Sequence, residues 1–390
     1  MNQIPKTEAD KRLQRLQQII PTMQAEACII TSSVNQYWLT GFIFDGYILV
    51  YASGDPLLFV KRPSGLSGGN VIPIRKPEQI PGLLREAGLQ VPKRVLLESE
   101  VISFNAALRL QAALEMPEVE NVSAAIRKIR SVKSEYELNQ IRESAAIHKN
   151  VYDLIPSLYR KGMTDLALQI EIERQMRLHG SMGIFRSYGE NMDIYMGSIL
   201  AGDNAQAASP FDYALGGAGI TPLLPLGANG TKLSPGTTLM VDMAGNYRPY
   251  MDDMTRTYVI EHAPDVAYKA HQVSLEIVRA IEETTKAGVP CAELWHLAEK
   301  IVKENKLEAC FMGTAQQARF VGHGVGLEIN EPPVLTPRSK EVLETGMAFA
   351  LEPKFVLPGI GAVGIENTYI VQDDRLEKVT LCEESLIVLS

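Results

Sequence analysis

Three carboxylates stand inside runs of apolar residues, and they limit what this chain can become more than anything else in it. Asp242 lies in Leu239-Met240-Val241-Asp242-Met243-Ala244, Glu352 in Ala348-Phe349-Ala350-Leu351-Glu352-Pro353, and Glu366 in Ala362-Val363-Gly364-Ile365-Glu366-Asn367. Such runs read as buried strands. An ionised carboxylate in one of them is costly unless it is paired or bound to a cation.

Spacing adds a second constraint. Asp242 and Asp253 flank the turn-like Gly245-Asn246-Tyr247-Arg248-Pro249, and Glu352 and Glu366 flank Leu357-Pro358-Gly359-Ile360-Gly361. If each pair spans a hairpin, its acids face each other across two strands, roughly 5 Å apart at Cβ. Four converging carboxylates repel one another without cations, and two divalent ions about 3.5–4 Å apart offset their charge. His323, in Val321-Gly322-His323-Gly324-Val325-Gly326, has small neighbours that leave an imidazole room to reach a metal. Taken singly, each acid has a plainer reading. Asp252 and Asp253 suit a turn, Glu352 before Pro353 suits a strand end, and Glu366 suits a partner arginine. Their coincidence favours a shared cation site.

The rest of the 390-residue chain reads as two mixed domains. In the first third, helical patterns at Glu8–Ile19, Pro77–Ala87 and Asn105–Glu115 alternate with strand-like Ala27–Thr31, Tyr47–Tyr51, Leu57–Val60 and Arg94–Leu97. A boundary is expected in Val122–Lys133, giving domains of residues 1–130 and 131–390. Ser134 and Glu137 then form a capping-box pattern opening a long helix to about Tyr159, and a second helix runs from Thr164-Asp165 to about Leu178. A Gly-, Pro-, Ser- and Asn-rich stretch from Ala201 to Pro235 reads as loop. Strands are expected at Thr237–Tyr247, Met254–Ile260, Ala348–Val356, Gly364–Gln372 and Lys378–Thr380, with helices at Asp265–Ala287 and Ala292–Lys303.

Composition closes off other classes. The net charge of −8, with no basic stripe interleaved with aromatics, argues against a nucleic-acid surface. No apolar run reaches membrane-spanning length and no secretory h-region opens the sequence, so a cytoplasmic protein is expected. The four cysteines show no CxxC spacing and suit free thiols in a reducing compartment. The five histidines other than His323 read as packing or surface residues.

With these residues in view, the C-terminal part resembles the pita-bread metallopeptidases: methionine aminopeptidase, aminopeptidase P and prolidase, with creatinase as a relative. Asp253-Met254-Thr255-Arg256-Thr257 is similar to the family's D-x-T-R-T strand, Gly322-His323-Gly324-Val325-Gly326 to its G-H-G-x-G, and Glu352-Pro353 to its E-P. Glu366 matches the last ligand. Asn35-Gln36-Tyr37-Trp38-Leu39-Thr40-Gly41-Phe42 resembles the creatinase/prolidase N-terminal domain. The resemblance implies an α+β chain, with an N-terminal α/β creatinase-like domain before a C-terminal pita-bread domain. It also implies a dinuclear centre. Asp242 would chelate one metal, Asp253 and Glu366 would bridge both, and His323 and Glu352 would ligate the other. One imidazole among carboxylates suits Mn²⁺, Co²⁺, Fe²⁺ or Zn²⁺. Glu352 would also be the general base toward a metal-activated water, and His323 belongs with it in the catalytic set. A homodimer is implied as well.

Two histidines of the family's substrate shell have other residues here. Asn330 stands seven residues after His323, and Ser209 takes the second position, so both are carried as substrate-binding candidates. Gly364 replaces the arginine of aminopeptidase P. Asn330 donates a hydrogen bond but takes up no proton at neutral pH. The leading expectation is an Xaa-Pro-type peptidase acting on a short peptide. The alternatives are a metallohydrolase or lyase of the same fold with a small non-peptide substrate, and a catalytically silent binding protein.

Overall fold

The structure, a computed structural model, describes residues 4–189, 196–211 and 213–390. The chain divides into two compact units, Met1–Arg130 and Ser131–Ser390.

The first unit is built on one mixed sheet. Its strands are β1 (Ala27–Ile30), β2 (Asp45–Tyr51), β3 (Leu57–Arg62), β4 (Val71–Pro73), β5 (Arg94–Leu97) and β6 (Glu118–Asn121), in the order β4-β3-β2-β1-β5-β6. Its helices are α1 (Lys6–Thr22), α2 (Ser33–Thr40), α3 (Ile80–Glu86), α4 (Phe104–Ala113) and α5 (Ser123–Ser131). Strand β1, Ala-Cys-Ile-Ile, is buried throughout, as a central strand covered on both faces must be. The expected boundary segment, Val122–Lys133, carries α5, which runs through the buried Ile126. Helix α2 was also unforeseen. It starts where the Ser32 hydroxyl accepts from the Asn35 amide, and it stops at Gly41, whose φ of 80° is the left-handed cap that glycine tolerates best.

The second unit opens with α6 (Glu135–Leu158) and α7 (Asp165–Leu178). The Ser134–Glu137 capping box is formed in both directions. Leu138, Ile141, Ala145, His148, Tyr152 and Ile155 recur at alternating three- and four-residue steps and are buried, so one stripe of α6 faces the core. It packs with α7 on a four-stranded sheet ordered β17-β9-β8-β7, made of β7 (Gly197–Ala201), β8 (Thr238–Gly245), β9 (Asp252–Ile260) and β17 (Ile387–Leu389). Helices α8 (Asp265–Thr284) and α9 (Cys291–Glu304) share a second core with the remaining strands. These are β10 (Gly322–Gly324), β11 (Glu331–Val334), β12 (Ala348–Leu351), β15 (Asn367–Val371) and β16 (Leu376–Lys378) in the order β11-β10-β12-β15-β16, and a separate hairpin of β13 (Lys354–Leu357) and β14 (Gly361–Gly364). The α+β architecture expected from the sequence holds. No helix among the described residues is long and apolar enough to cross a membrane.

Two runs expected as single strands are each broken in two. Pro353 has no N–H for the ladder and separates β12 from β13. Ile365 and Glu366 separate β14 from β15. One side chain of α8 serves both breaks. The Ser274 hydroxyl donates to the Pro353 carbonyl at 2.6 Å and accepts from the Ile365 amide at 3.3 Å. The register carries across the interruption: Leu351 pairs with Asn367 and Lys354 with Gly364, which sets Glu352 opposite Glu366. The other acidic pair differs from expectation. Asp242 pairs with Thr255 and Asp253 with Ala244, so the two aspartates are diagonal neighbours on one face.

Candidate metal centre

All nine residues of β9 are buried, so its side chains have no solvent to turn to. Asp253 directs its Oδ1 back to the Met254 amide at 3.1 Å and leaves Oδ2 facing His323. The neighbouring Asp252 turns the other way and pairs at 2.8 Å with the fully buried His148 of α6. Asp252 is therefore a core residue, and it shows which face of β9 belongs to the site.

His323 is carried by β10, whose glycines let the backbone lie closer to its neighbours than a Cβ permits. A Cβ on Gly322 would stand 2.2 Å from the Ala350 carbonyl oxygen, and one on Gly324 2.1 Å from that of Pro332. The His323 Nδ1–H donates to the Gly324 carbonyl at 3.3 Å. That contact leaves the Nε2 lone pair toward the acids, as a ligating imidazole requires. Nε2 lies 3.5 Å from Glu352 Oε1, 3.9 Å from Asp253 Oδ2 and 3.9 Å from Glu366 Oε1.

Glu366 is held from behind. The Thr255 hydroxyl donates to its Oε2 at 2.7 Å, its backbone pairs with Thr255, and the buried Arg256 guanidinium donates to its carbonyl at 2.8 Å. Its Oε1 is buried and has no hydrogen-bond partner. A carboxylate oxygen without water or donor is costly. Here it points at a histidine nitrogen and a second carboxylate, a donor set suited to a divalent cation. Asp253, His323 and Glu366 form one group able to hold an ion, and Asp242, Glu352 and Glu366 form another.

Sequence reasoning missed a sixth participant. Lys354 is completely buried, and its ammonium sits within the second group, 2.6 Å from Glu352 Oε2, 2.9 Å from Asp242 Oδ2 and 3.1 Å from Glu366 Oε2. The signal was present. Lys354 is two residues beyond Glu352, on the same face of an extended chain, in a Lys-Phe-Val-Leu strand that is buried throughout. Burial works against its charge, but the fields of Asp242, Glu352 and Glu366 outweigh burial and hold its pKa well above the usual lysine value. Burial raises the Asp253 carboxyl well above its ordinary range, and the charges of Glu366 and Asp242 raise it further. Burial also raises Asp242, with Lys354 pulling it down and Glu366 pushing it up. At Asp253, burial and the neighbouring carboxylates together outweigh the opposing charge of Lys354.

The acids and His323 floor a small cavity of about 60 Å³ whose walls include Phe185, Tyr213, Phe320 and Ile329. Asn330 also borders it, but both ends of its amide are engaged: it accepts from the Tyr188 amide at 2.7 Å and donates to the Tyr188 carbonyl at 2.8 Å. Ser209 borders the adjacent cavity instead, with its hydroxyl accepting from the Phe211 amide and donating to the Pro225 carbonyl.

Comparison with known proteins gives the class. Residues 139–373 match the model of metallopeptidase family M24, and residues 12–132 match the creatinase/prolidase N-terminal domain. The chain belongs to metallopeptidase family M24, and its activity class is that of a metallopeptidase. Among its relatives is an uncharacterised peptidase of Staphylococcus aureus (strain USA300), 24% identical over 93% of this chain and 96% of the relative. In fold it is similar to an Xaa-Pro dipeptidase from Bacillus anthracis, with TM-score 0.81, 22% identity and coverage of 98% of this chain and 100% of the other. It is also similar to an X-Pro aminopeptidase from Thermotoga maritima, with TM-score 0.79, 20% identity and coverage of 96% and 99%.

Proposed function

We propose that this chain is a metal-dependent peptidase of the Xaa-Pro type, acting on a dipeptide or short peptide seated over the acidic cluster. The observation that carries the reading is the meeting of Asp253, His323 and Glu366 around an unpartnered buried oxygen, under an apolar wall. Phe185, Tyr213, Phe320 and Ile329 suit a nonpolar residue such as proline. Asp253, His323 and Glu366 would hold a divalent ion, which when bound supplies Lewis acidity and lowers the pKa of a coordinated water toward about 7. Glu352, whose Oε1 faces His323 while Lys354 restrains its Oε2, takes the proton of the attacking water and passes it to the leaving amine.

A second reading, a hydrolase or lyase of the same fold with a small non-peptide substrate, draws support from Asn330. Its amide is oriented by the Tyr188 backbone, and it takes up no proton at neutral pH, so it cannot serve a peptide substrate as a histidine would. The experiment is an assay of Xaa-Pro dipeptides on protein stripped of metal and reloaded with Mn²⁺ or Co²⁺. Metal-dependent release of proline, abolished by Glu352→Gln, is the expected result. Metal binding without proline release favours the second reading, and failure to bind metal at any concentration sinks both.

A further inference from the structure

We infer that the Lys354 ammonium takes one of the two cation positions of this centre, so that the protein binds a single divalent ion, held by Asp253, His323 and Glu366. The inference rests on reading the cluster as a metal centre, but not on which substrate it serves.

Of the two groups able to hold an ion, the Asp242, Glu352 and Glu366 group is the same trio that surrounds Lys354 Nζ at 2.6–3.1 Å. An ammonium has three N–H bonds, and three carboxylates receive them. Its hydrogen-bonding capacity is used up, so Lys354 has nothing left for substrate or water. It acts as a fixed positive charge and as a spacer that holds Asp242, Glu352 and Glu366 together.

The fold fixes the backbone that carries this side chain. Lys354 pairs across the hairpin with Gly364, whose φ of +139° favours glycine. A Cβ at Gly364 would stand 2.5 Å from the Pro353 carbonyl oxygen, 2.9 Å from Lys354 Cα and 3.4 Å from Lys354 Cγ. The closest of these contacts are with backbone, so glycine at 364 lets the two strands of the hairpin approach and fixes the backbone from which Lys354 extends.

Displacing Lys354 is unfavourable. Its side chain is fully buried, and Phe355 and Val356 beside it are buried too. A divalent ion entering that group would force the ammonium out of three charge-assisted bonds while its stem remains packed in the core. The other group offers the opposite: an orphaned Glu366 oxygen, a histidine lone pair and an aspartate oxygen facing it, with no cation among them. Charge agrees with this division. Four carboxylates carry four negative charges, and Lys354 returns one, leaving three. One divalent ion reduces that to one, whereas two would make the centre net positive.

The test counts metal without substrate. Full-length protein is stripped with chelator, then titrated with Mn²⁺ by equilibrium dialysis and elemental analysis, alongside Lys354→Ala. One equivalent in the wild type and two in Lys354→Ala is the expected result. Two equivalents in the wild type, none in the wild type, or one in both proteins would overturn the inference. Should Lys354→Ala fail to fold, the Mn²⁺ resonance of the saturated wild type decides alone: an isolated-ion spectrum supports a single ion, and a spin-coupled pair refutes it. Because no peptide is involved, a protein that proves not to cleave Xaa-Pro bonds leaves this result standing.

Discussion

Each unit of the molecule buries a glutamate, and the two are solved in opposite ways. Glu98, beside β5 in the first unit, is 1% exposed and accepts from the Thr31 and Ser32 amides, the Ser32 hydroxyl and the Asn35 amide group. Neutral donors that fold with it satisfy both its oxygens. Glu366 in the second unit is equally buried, yet only its Oε2 is served, by Thr255 and Lys354, while Oε1 faces other potential ligands. A buried carboxylate is thus no sign of a site by itself. What marks one is an oxygen that the fold declines to satisfy, in the company of other ligands.

The most damaging way to probe this contrast is Glu366→Gln. Glu366 belongs to both cation groups. Replacing it removes a direct ligand, and the loss in metal affinity and activity should exceed the roughly 10–100-fold typical of an outer partner. Equilibrium dialysis and peptide assay read it, and retention of wild-type metal affinity would break the comparison. Thr255→Val comes next. It deletes only the hydroxyl that fixes Oε2 at 2.7 Å, so metal affinity should fall by about 10–100-fold with little change in the fold. Glu98→Gln is the reciprocal case. Its oxygen would keep the Thr31 and Ser32 amides while its NH2 faced the Asn35 NH2, a lost buried hydrogen bond costing about 1–3 kcal/mol of stability while leaving metal affinity unchanged. Thermal unfolding and metal titration on the same sample separate the two effects.

How much of this was legible in the sequence follows from the physics of each element. Glu352 and Glu366 could be placed opposite each other because a hairpin register is simple arithmetic once the turn is known. Asp242 and Asp253 could not, since the exact strand pairing put them on a diagonal. Strand β10 was illegible: three residues with two glycines have little strand propensity, and pairing with β11 and β12 imposes its form. Helix α5 was hidden because it is only 9 residues long and lies within the expected domain boundary. Lys354 escaped notice for a different reason. A lysine is normally a surface residue, and only the three carboxylates assembled around it make its burial possible. The chemistry of the centre was therefore half visible, because strand acids advertise a need for positive charge without saying what supplies it.

The smallest effect sharpens the rule about orphaned atoms. His271 of α8 is also buried with one unpartnered atom, Nδ1, while its Nε2–H donates to the Glu384 carbonyl at 2.7 Å. If an orphaned polar atom needs other ligands beside it to make a site, this one should bind nothing and register only in stability. Burial lowers its pKa below the usual histidine value, with the Glu384 contact opposing. The sign follows. Above about pH 6.5 the ring is neutral in both folded and unfolded chains and contributes no pH dependence. As pH falls below that value the unfolded chain takes up a proton that the folded chain refuses, so stability is lost until the lower folded pKa is reached. At about pH 5.5 this loss cannot exceed about 1.4 kcal/mol, since one unit of proton affinity is worth that much. His271→Gln keeps a donor for Glu384 and removes the titration. Its melting temperature should fall less than that of the wild type between about pH 7.5 and pH 5.5, with metal affinity unchanged at the upper pH. Parallel stability curves would remove His271 from the account, and an altered metal affinity would show that an orphaned atom acts on the centre without lying in it.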